Sequence, residues 1–550
     1  MQTSQTSASF QSFYNQPTQQ IDPYGSSTFQ ILNNDSTGSR SQGTEVSFQT
    51  YPEQFFTLES TPATDYATYS SPSAVSVSSN RSPFSPQGSL SYASDIYQPS
   101  DNTYGSPVSG SSGVEDENKL LHALWVLRNE LLGPESDTDD SGTFNGVVTQ
   151  PSPFTRYNRI LEMAPHMDLK QLLGACAEIV AEADMISLSD RQVAISAAEA
   201  LMEILEKMVS VSGEPSQRLG AYMLEGLRAR LLSSGSIIYK KLKCKEPTSS
   251  ELMSYMGVLY QICPYYKFAY MSSNVIIGEA MENENNIHII DFQIAQGSQW
   301  VSLIQALARR PGGPPYIRIT GVDDSQSAHA RGGGLPLVGQ KLAQVAQSCG
   351  VAFEFNGAAM SGCEVQLEHL QVRHGEALAV NFPYILHHMP DESVSTMNHR
   401  DRLLRLVKSL SPKVVTVVEQ ESNTNTSTFY QRFCETLDYY TAMFESIDAG
   451  RSRDDQQRIS AEEHCVAKDV VNIIACEGIE RVERHELFGK WRMRLAMAGF
   501  SPLQLSPSVG NAIKDMLKEY SSNYRIADFG NGALYLGWKN RALATTSAWR

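Results

Sequence analysis

The run Ile287-His288-Ile289-Ile290-Asp291 constrains this chain most: a short, nearly continuous apolar stretch closed by a carboxylate. It leads through Phe292-Gln293-Ile294-Ala295-Gln296-Gly297-Ser298-Gln299-Trp300 into the helical spacing of Val301, Ile304 and Leu307. A strand too apolar to alternate, feeding a helix, belongs to a parallel sheet covered on both faces. Asp291 then stands at the strand's carboxyl end, where open α/β sheets bind ligands. A nucleotide-binding sheet follows such a strand with a glycine-rich turn that lets backbone approach phosphate. Here Gly297 stands alone among Gln, Ile and Ala. The frame reads as a nucleotide-binding sheet with an altered pocket, which points away from catalysis and toward interaction.

Strand and helix patterns alternate beyond Asp291. Strands are expected at 287–291, 316–322, 353–356, 378–382 and 413–419, with helices near 300–309, 336–349, 361–370 and 400–410. That alternation predicts a Rossmann-like α/β fold with a parallel sheet. A longer helical region follows Phe429, to about 498. Near the end, Gly530-Asn531-Gly532 separates Tyr524–Phe529 from Ala533–Trp538, the signal of an antiparallel hairpin. A parallel sheet closed by such a hairpin is the layout of methyltransferase-like folds, an analogy of fold that licenses no chemistry.

Upstream of the sheet, 168 to about 282 reads as helices. Asp168 is placed to cap Leu169, Leu172, Leu173, Cys176, Ile179 and Val180. Asp190 opens a second run through Leu201, Ile204 and Leu205. Leu169, Leu172, Leu173, Leu201 and Leu205 are the candidate partner-binding residues of this helical cap. Residues 1–113 are rich in Ser, Gln and Tyr, and the first lysine is Lys119. Such a segment buries too little apolar area to offset chain entropy, so a disordered tail is expected. Residues 114–160 are expected to hold a short amphipathic helix (Leu120, Leu124, Leu127, Leu131) and an acidic linker.

The formal net charge is −16, which argues against broad phosphate-backbone binding. The eight cysteines include no C-x-x-C pair, so neither a disulfide framework nor a zinc ribbon is indicated. No apolar run approaches the ~18–20 residues needed to cross a bilayer, and the N-terminus carries no signal-peptide pattern. A soluble intracellular protein is expected.

Five blocks in order carry a family resemblance. Ile287, His288, Ile289, Ile290 and Asp291 resemble the VHIID motif of the plant GRAS proteins, with Ile for the leading Val. Thr428-Phe429-Tyr430-Gln431-Arg432-Phe433-Cys434-Glu435 resembles the PFYRE block, with Thr428 where proline is usual; Arg432 and Glu435 are its charged members. Arg481–Glu486, Trp491, Trp538 and Ser547-Ala548-Trp549 resemble the SAW region, and two leucine-rich runs flank the VHIID segment. The resemblance divides 161–550 into leucine repeat I (about 165–237), VHIID (about 256–321), leucine repeat II (about 337–369), PFYRE (about 378–472) and SAW (about 475–550). The island and tail resemble the phytochrome-A signal-transduction (scarecrow-like) branch. The resemblance implies a transcriptional regulator of nucleus and cytoplasm. It also implies partners that include other GRAS proteins and zinc-finger transcription factors, mostly indirect contact with DNA, and no enzyme chemistry.

Candidate sites follow. Asp291, Gly297 and Asp323 are the pocket residues an S-adenosylmethionine-type enzyme or sensor would need; the alternative is that the carboxylates organise loops at the sheet edge. No cofactor and no metal is expected. His387 and His388, adjacent on an extended segment, would point to opposite sides. Arg481, Arg484, Lys490, Arg492 and Arg494, interleaved with Glu480, Glu483 and Glu486, read as a solvated helix face or, more sharply, a phosphate-contacting surface. Lys240, Lys241, Lys243 and Lys245 form the most basic cluster. Cys434 and Cys476 read as packing, and Trp491, Trp538 and Trp549 as core anchors.

Overall fold

The computed structural model describes residues 153–231, 249–323, 334–528 and 530–550. The tail 1–113, the 114–134 helix, the lysine cluster and Asp324 lie outside these described residues.

The body begins earlier than the composition indicates. Helix α1 (Pro153–Met163) occupies the end of the expected linker, and it buries Tyr157 and Ile160. Arg156 pairs with Glu178 at 2.7 Å and also with Glu182, while the Tyr157 hydroxyl donates to Glu182 at 2.9 Å. Helices α2 (Leu169–Ala183), α3 (Leu188–Met208), α4 (Pro215–Leu231), α5 (Ser249–Ile262) and α6 (Tyr265–Ala280) continue the cap. Asp168 caps α2 through a reciprocal bond with Gln171. Helix α3 starts two residues before Asp190, because the Ser187 hydroxyl accepts from the Asp190 N–H.

The sheet alternates with helices as the apolar periodicity requires. In chain order come β1 (Asn286–Asp291), α7 (Ser298–Ala308), β2 (Tyr316–Asp323), α8 (Gly334–Ser348), β3 (Phe353–Ala359), α9 (Leu367–Leu370), β4 (Ala377–Pro383), α10 (His399–Ser409) and β5 (Val414–Gln420). Of the helix expected over 361–370, α9 is the part that forms. Then follow α11 (Phe429–Asp448), α12 (Gln456–Cys465), α13 (Ala467–Ala475), α14 (Phe488–Met497), β6 (Pro502–Leu503), α15 (Pro507–Leu517), β7 (Tyr524–Asp528), β8 (Ala533–Trp538) and β9 (Arg541–Trp549).

Strand order is β3-β2-β1-β4-β5-β9-β8-β7, with β6 beside β9. The first five strands are parallel and doubly wound, so the direction of winding reverses between β1 and β4. The expected hairpin is β7–β8. It joins the parallel half through β9, which lies antiparallel to both β5 and β8 and pairs Trp549 with Val415. Trp491, Trp538 and Trp549 are buried, as expected of anchors. Among the described residues no helix is long and apolar enough to cross a membrane.

Candidate functional site

The carboxyl edge of the parallel strands is where this fold presents ligand sites, and the crevice expected there is at the reversal of winding between β1 and β4. Asp291 stands there, in register with Asn381 of β4 and 1% exposed. All of its partners are donors from its own chain. The Trp300 indole N–H gives to Oδ2 at 2.8 Å, the Gln293 N–H to Oδ1 at 3.2 Å, and the Asn381 amide to Oδ1 at 3.3 Å. Burial pushes the carboxyl up to about 7 against these donors.

The loop 292–297 fills the space beside it. Ile294 lies so close to Gly321 of β2 that a Cβ there would meet its Cδ1 at 2.7 Å. Asp323, at the end of β2, accepts the Ala295 N–H at 3.1 Å. Gly297 has a φ of 67°, and its Cα faces Val338, whose Cγ1 would stand 2.9 Å from a Cβ. The lone glycine thus serves a left-handed turn and close packing on α8. Asp291, Gly297 and Asp323 do meet at one edge, as expected. They organise the loop there, and the loop's own side chains stand where a cofactor would approach.

The VHIID histidine turns away from this edge. His288 is fully buried, contacts the Thr320 hydroxyl at 2.8 Å, and lies 3.0 Å from an Arg318 nitrogen. Burial and the Arg318 charge push it down to about 3, so it stays neutral. Ile287, Ile289 and Ile290 are core.

The edge over β4 and β5 is closed by a second device, and here the sequence reading needs correcting. Residues 481–487 carry no helix; they run as extended chain between α13 and α14. Arg481, Glu483, Arg484, Glu486 and Arg494 are buried rather than solvated. Arg481 donates to the Thr424 carbonyl at 2.5 Å and the Asn425 carbonyl at 3.0 Å. Arg494 grips Glu486 at 2.7 Å and Asp401 at 3.1 Å. Arg400, from α10, donates to the carbonyls of Met389 (2.8 Å), His387 (3.0 Å) and Arg484 (2.8 Å). These guanidiniums tie loops together and form no phosphate-facing surface. The charge alternation mimicked an exposed helix because Arg481, Arg484 and Arg494 also reach partners far off in sequence, at Thr424, Asn425 and Asp401. Exposed Arg492 and half-buried Lys490 do lie on a helix, α14.

His387 and His388 also depart from expectation. They lie on a single 3-10 turn, Leu386–His388, with ring centroids 4.1 Å apart, so the tight turn brings together side chains that an extended segment would separate. Among the described residues, His387, His388 and Glu483 bring metal-ligating atoms within 4.8 Å of one another.

The motif residues act as struts. Arg432 donates to the Ile473 carbonyl at 2.9 Å and pairs with Glu477. Glu435 accepts from Ser422 (2.9 Å), Asn423 (3.0 Å) and Arg541 (2.5 Å). Thr428 caps α11: its N–H and hydroxyl both reach the Gln431 side-chain oxygen, at 3.4 and 3.1 Å. Ser547 donates to the Val417 carbonyl at 3.4 Å and accepts from the Trp549 indole at 3.0 Å, and Ala548 pairs with Thr416. Cys476 is buried and Cys434 half-buried; burial raises both thiols, which suits packing rather than nucleophilic use.

The five leucines offered for partner contact lie inside the cap. Leu172, Leu173, Leu201 and Leu205 are fully buried, and half-buried Leu169 packs against the same core. Helices α3, α4 and α11 cover the α2 stripe, so a partner reaches the four buried leucines only if the cap opens.

A family model described as the GRAS domain family matches residues 169–550. Scarecrow-like protein 13 of Arabidopsis thaliana is 58% identical over 500 residues, covering 90% of this chain and 92% of that protein. Scarecrow-like transcription factor PAT1 of Arabidopsis thaliana is 56% identical over 445 residues, covering 80% and 88%. The crystal structure of SCL7 in Oryza sativa is similar at 32% identity, with a TM-score of 0.60, over 70% of this chain and all of that one.

Proposed function

The chain belongs to the GRAS domain family, and from that premise we propose that it regulates transcription as a docking scaffold rather than as an enzyme. The observation that carries this reading is the closed crevice. Asp291 and Asp323, the two carboxylates a cofactor would need, hold Trp300, Gln293, Asn381 and Ala295 instead. A site built for a nucleotide-like ligand leaves such acceptors facing the ligand and brings bare backbone to it. Here the backbone turn is covered by Ile294, Val338 and Leu342.

Relatives named as transcription factor PAT1 and as Chitin-inducible gibberellin-responsive protein 2 of Oryza sativa support a regulator in plant signalling. The finer reading is pairing with other GRAS chains and with zinc-finger transcription factors, in nucleus and cytoplasm, within a phytochrome A response. On this reading those partners dock on other faces of the cap and core, since Leu172, Leu173, Leu201 and Leu205 are interior.

Isothermal titration of the full chain with S-adenosylmethionine tests the scaffold reading. The expected result is no saturable heat. Micromolar binding that disappears in Asp291→Ala, in a variant that still melts cooperatively, would favour a methyltransferase-like sensor or enzyme.

A further inference from the structure

We propose that His387, His388, Glu483 and His485 form a binding site for a divalent ion of the zinc class, pinning the extended segment 481–487 to the turn after β4. The residues come from two loops that are distant in sequence, yet ligand atoms of His387, His388 and Glu483 lie within 4.8 Å of one another, and His485 reaches the group through Glu483. His387 Nε2 lies 3.4 Å from Glu483 Oε2, His485 Nε2 lies 3.5 Å from the same oxygen, and His388 Nε2 lies 3.2 Å from Oε1. A tetrahedral zinc ion sits about 2.0–2.1 Å from each ligand, which separates the ligand atoms by about 3.3 Å. The three distances from the rings to Glu483 are close to that separation, with His387 and His485 facing Oε2 and His388 facing Oε1.

The outer shell is built as well. A metal-bound imidazole presents one nitrogen to the ion and fixes the other by a hydrogen bond, often to a carboxylate. His387 Nδ1 is held at 2.5 Å by Glu419 Oε2, and Glu419 is itself anchored by the Leu386 N–H at 2.8 Å. His485 Nδ1 is held at 2.9 Å by the Thr424 hydroxyl. Both rings therefore turn Nε2 inward, and they stack with centroids 4.4 Å apart.

Two atoms at the centre of the group, His485 Nε2 and Glu483 Oε2, are buried without a hydrogen-bond partner. Buried polar atoms are nearly always satisfied, so a pair of orphans facing each other across 3.5 Å marks a position that a ligand would complete. Three imidazoles and one carboxylate favour zinc, nickel or copper over magnesium or calcium, which take oxygen ligands. With His485 as the fourth ligand the donor set leaves no open coordination position for chemistry, so the ion's role is to clamp two loops.

The test uses the full chain, purified without chelators. The expected result is one zinc equivalent per chain by elemental analysis after zinc addition and dialysis. Chelator should lower the melting temperature, and cobalt(II) should give the visible bands of a tetrahedral nitrogen–oxygen site. Because the His388 side chain is 37% exposed, His388→Gln keeps the fold and should weaken zinc binding at least ~10-fold. Glu483→Gln should abolish the cobalt spectrum. If the chain holds no zinc, or if both variants fold and hold zinc as the parent does, the proposal is overturned.

Discussion

Trp300 donates its indole N–H to Asp291 across 2.8 Å, from the first turn of the very helix that the Asp291 strand leads into. The acid at the mouth of the sheet is thereby satisfied from nine residues downstream. The neighbouring Asn381, at the same register on β4, completes the closure.

Replacing Trp300 by Phe leaves a buried carboxylate short of a donor and a ring-sized gap partly unfilled. The variant should lose about 2–4 kcal/mol of stability by chemical denaturation. A loss below about 1 kcal/mol would show that this bond contributes little to holding the loop.

Two glycines with positive φ separate strain from packing. Gly297→Ala meets both a left-handed backbone and Val338, whereas Gly312→Ala, at φ 91° with nothing within 4 Å, meets strain alone. Left-handed placement of a non-glycine residue costs about 1–2 kcal/mol. Gly297→Ala should exceed Gly312→Ala by a further ~1–3 kcal/mol. Equal effects would mean that α8 yields freely.

Glu421 accepts the Phe488 N–H at the start of α14, at 3.0 Å, and burial pushes its carboxyl up from 4.5 to about 7. The folded state therefore binds this proton more tightly than the unfolded chain. The associated stability is fully present below pH 4.5 and is lost as pH rises through about 7. Glu421→Gln removes that slope, so its stability relative to the parent should climb between pH 5 and 8. A difference that is flat across this window would place the Glu421 carboxyl in its ordinary range.

Trp549 is fully buried and belongs to a strand with neighbours on both sides. Trp549→Ala should cost about 3–5 kcal/mol. Deleting residues 547–550 should abolish cooperative melting, as followed by tryptophan fluorescence and near-ultraviolet circular dichroism. A normal melt in the deletion would refute the anchor role.

The features most legible in the sequence were those fixed by local pattern. Ile287–Asp291 announced a buried parallel strand and its functional edge, and Asp168 announced the start of α2. Strand β9 was harder to read. Its Ala-Thr-Thr-Ser core carries little apolar alternation, and its strand character comes from being hydrogen-bonded between β5 and β8. The leucines of α2 and α3 showed that a face is apolar but not what covers it, so Leu172 and Leu201 passed for interface when they are core. The Arg481–Glu486 stretch failed for a related reason. Arg481 answers to the carbonyls of Thr424 and Asn425 and Arg484 to the Asn425 side chain, more than fifty residues away, and no local spacing records such partners.

The position of β9 has a temporal consequence. The parallel strands and the β7–β8 hairpin share no strand pairing; in the sheet they are joined through residues 541–549. Synthesis must reach Trp549 before the halves can be stitched, so the nascent chain carries two raw, template-like flanks until then. A molecule interrupted shortly before that point is the one a chaperone would most need to hold.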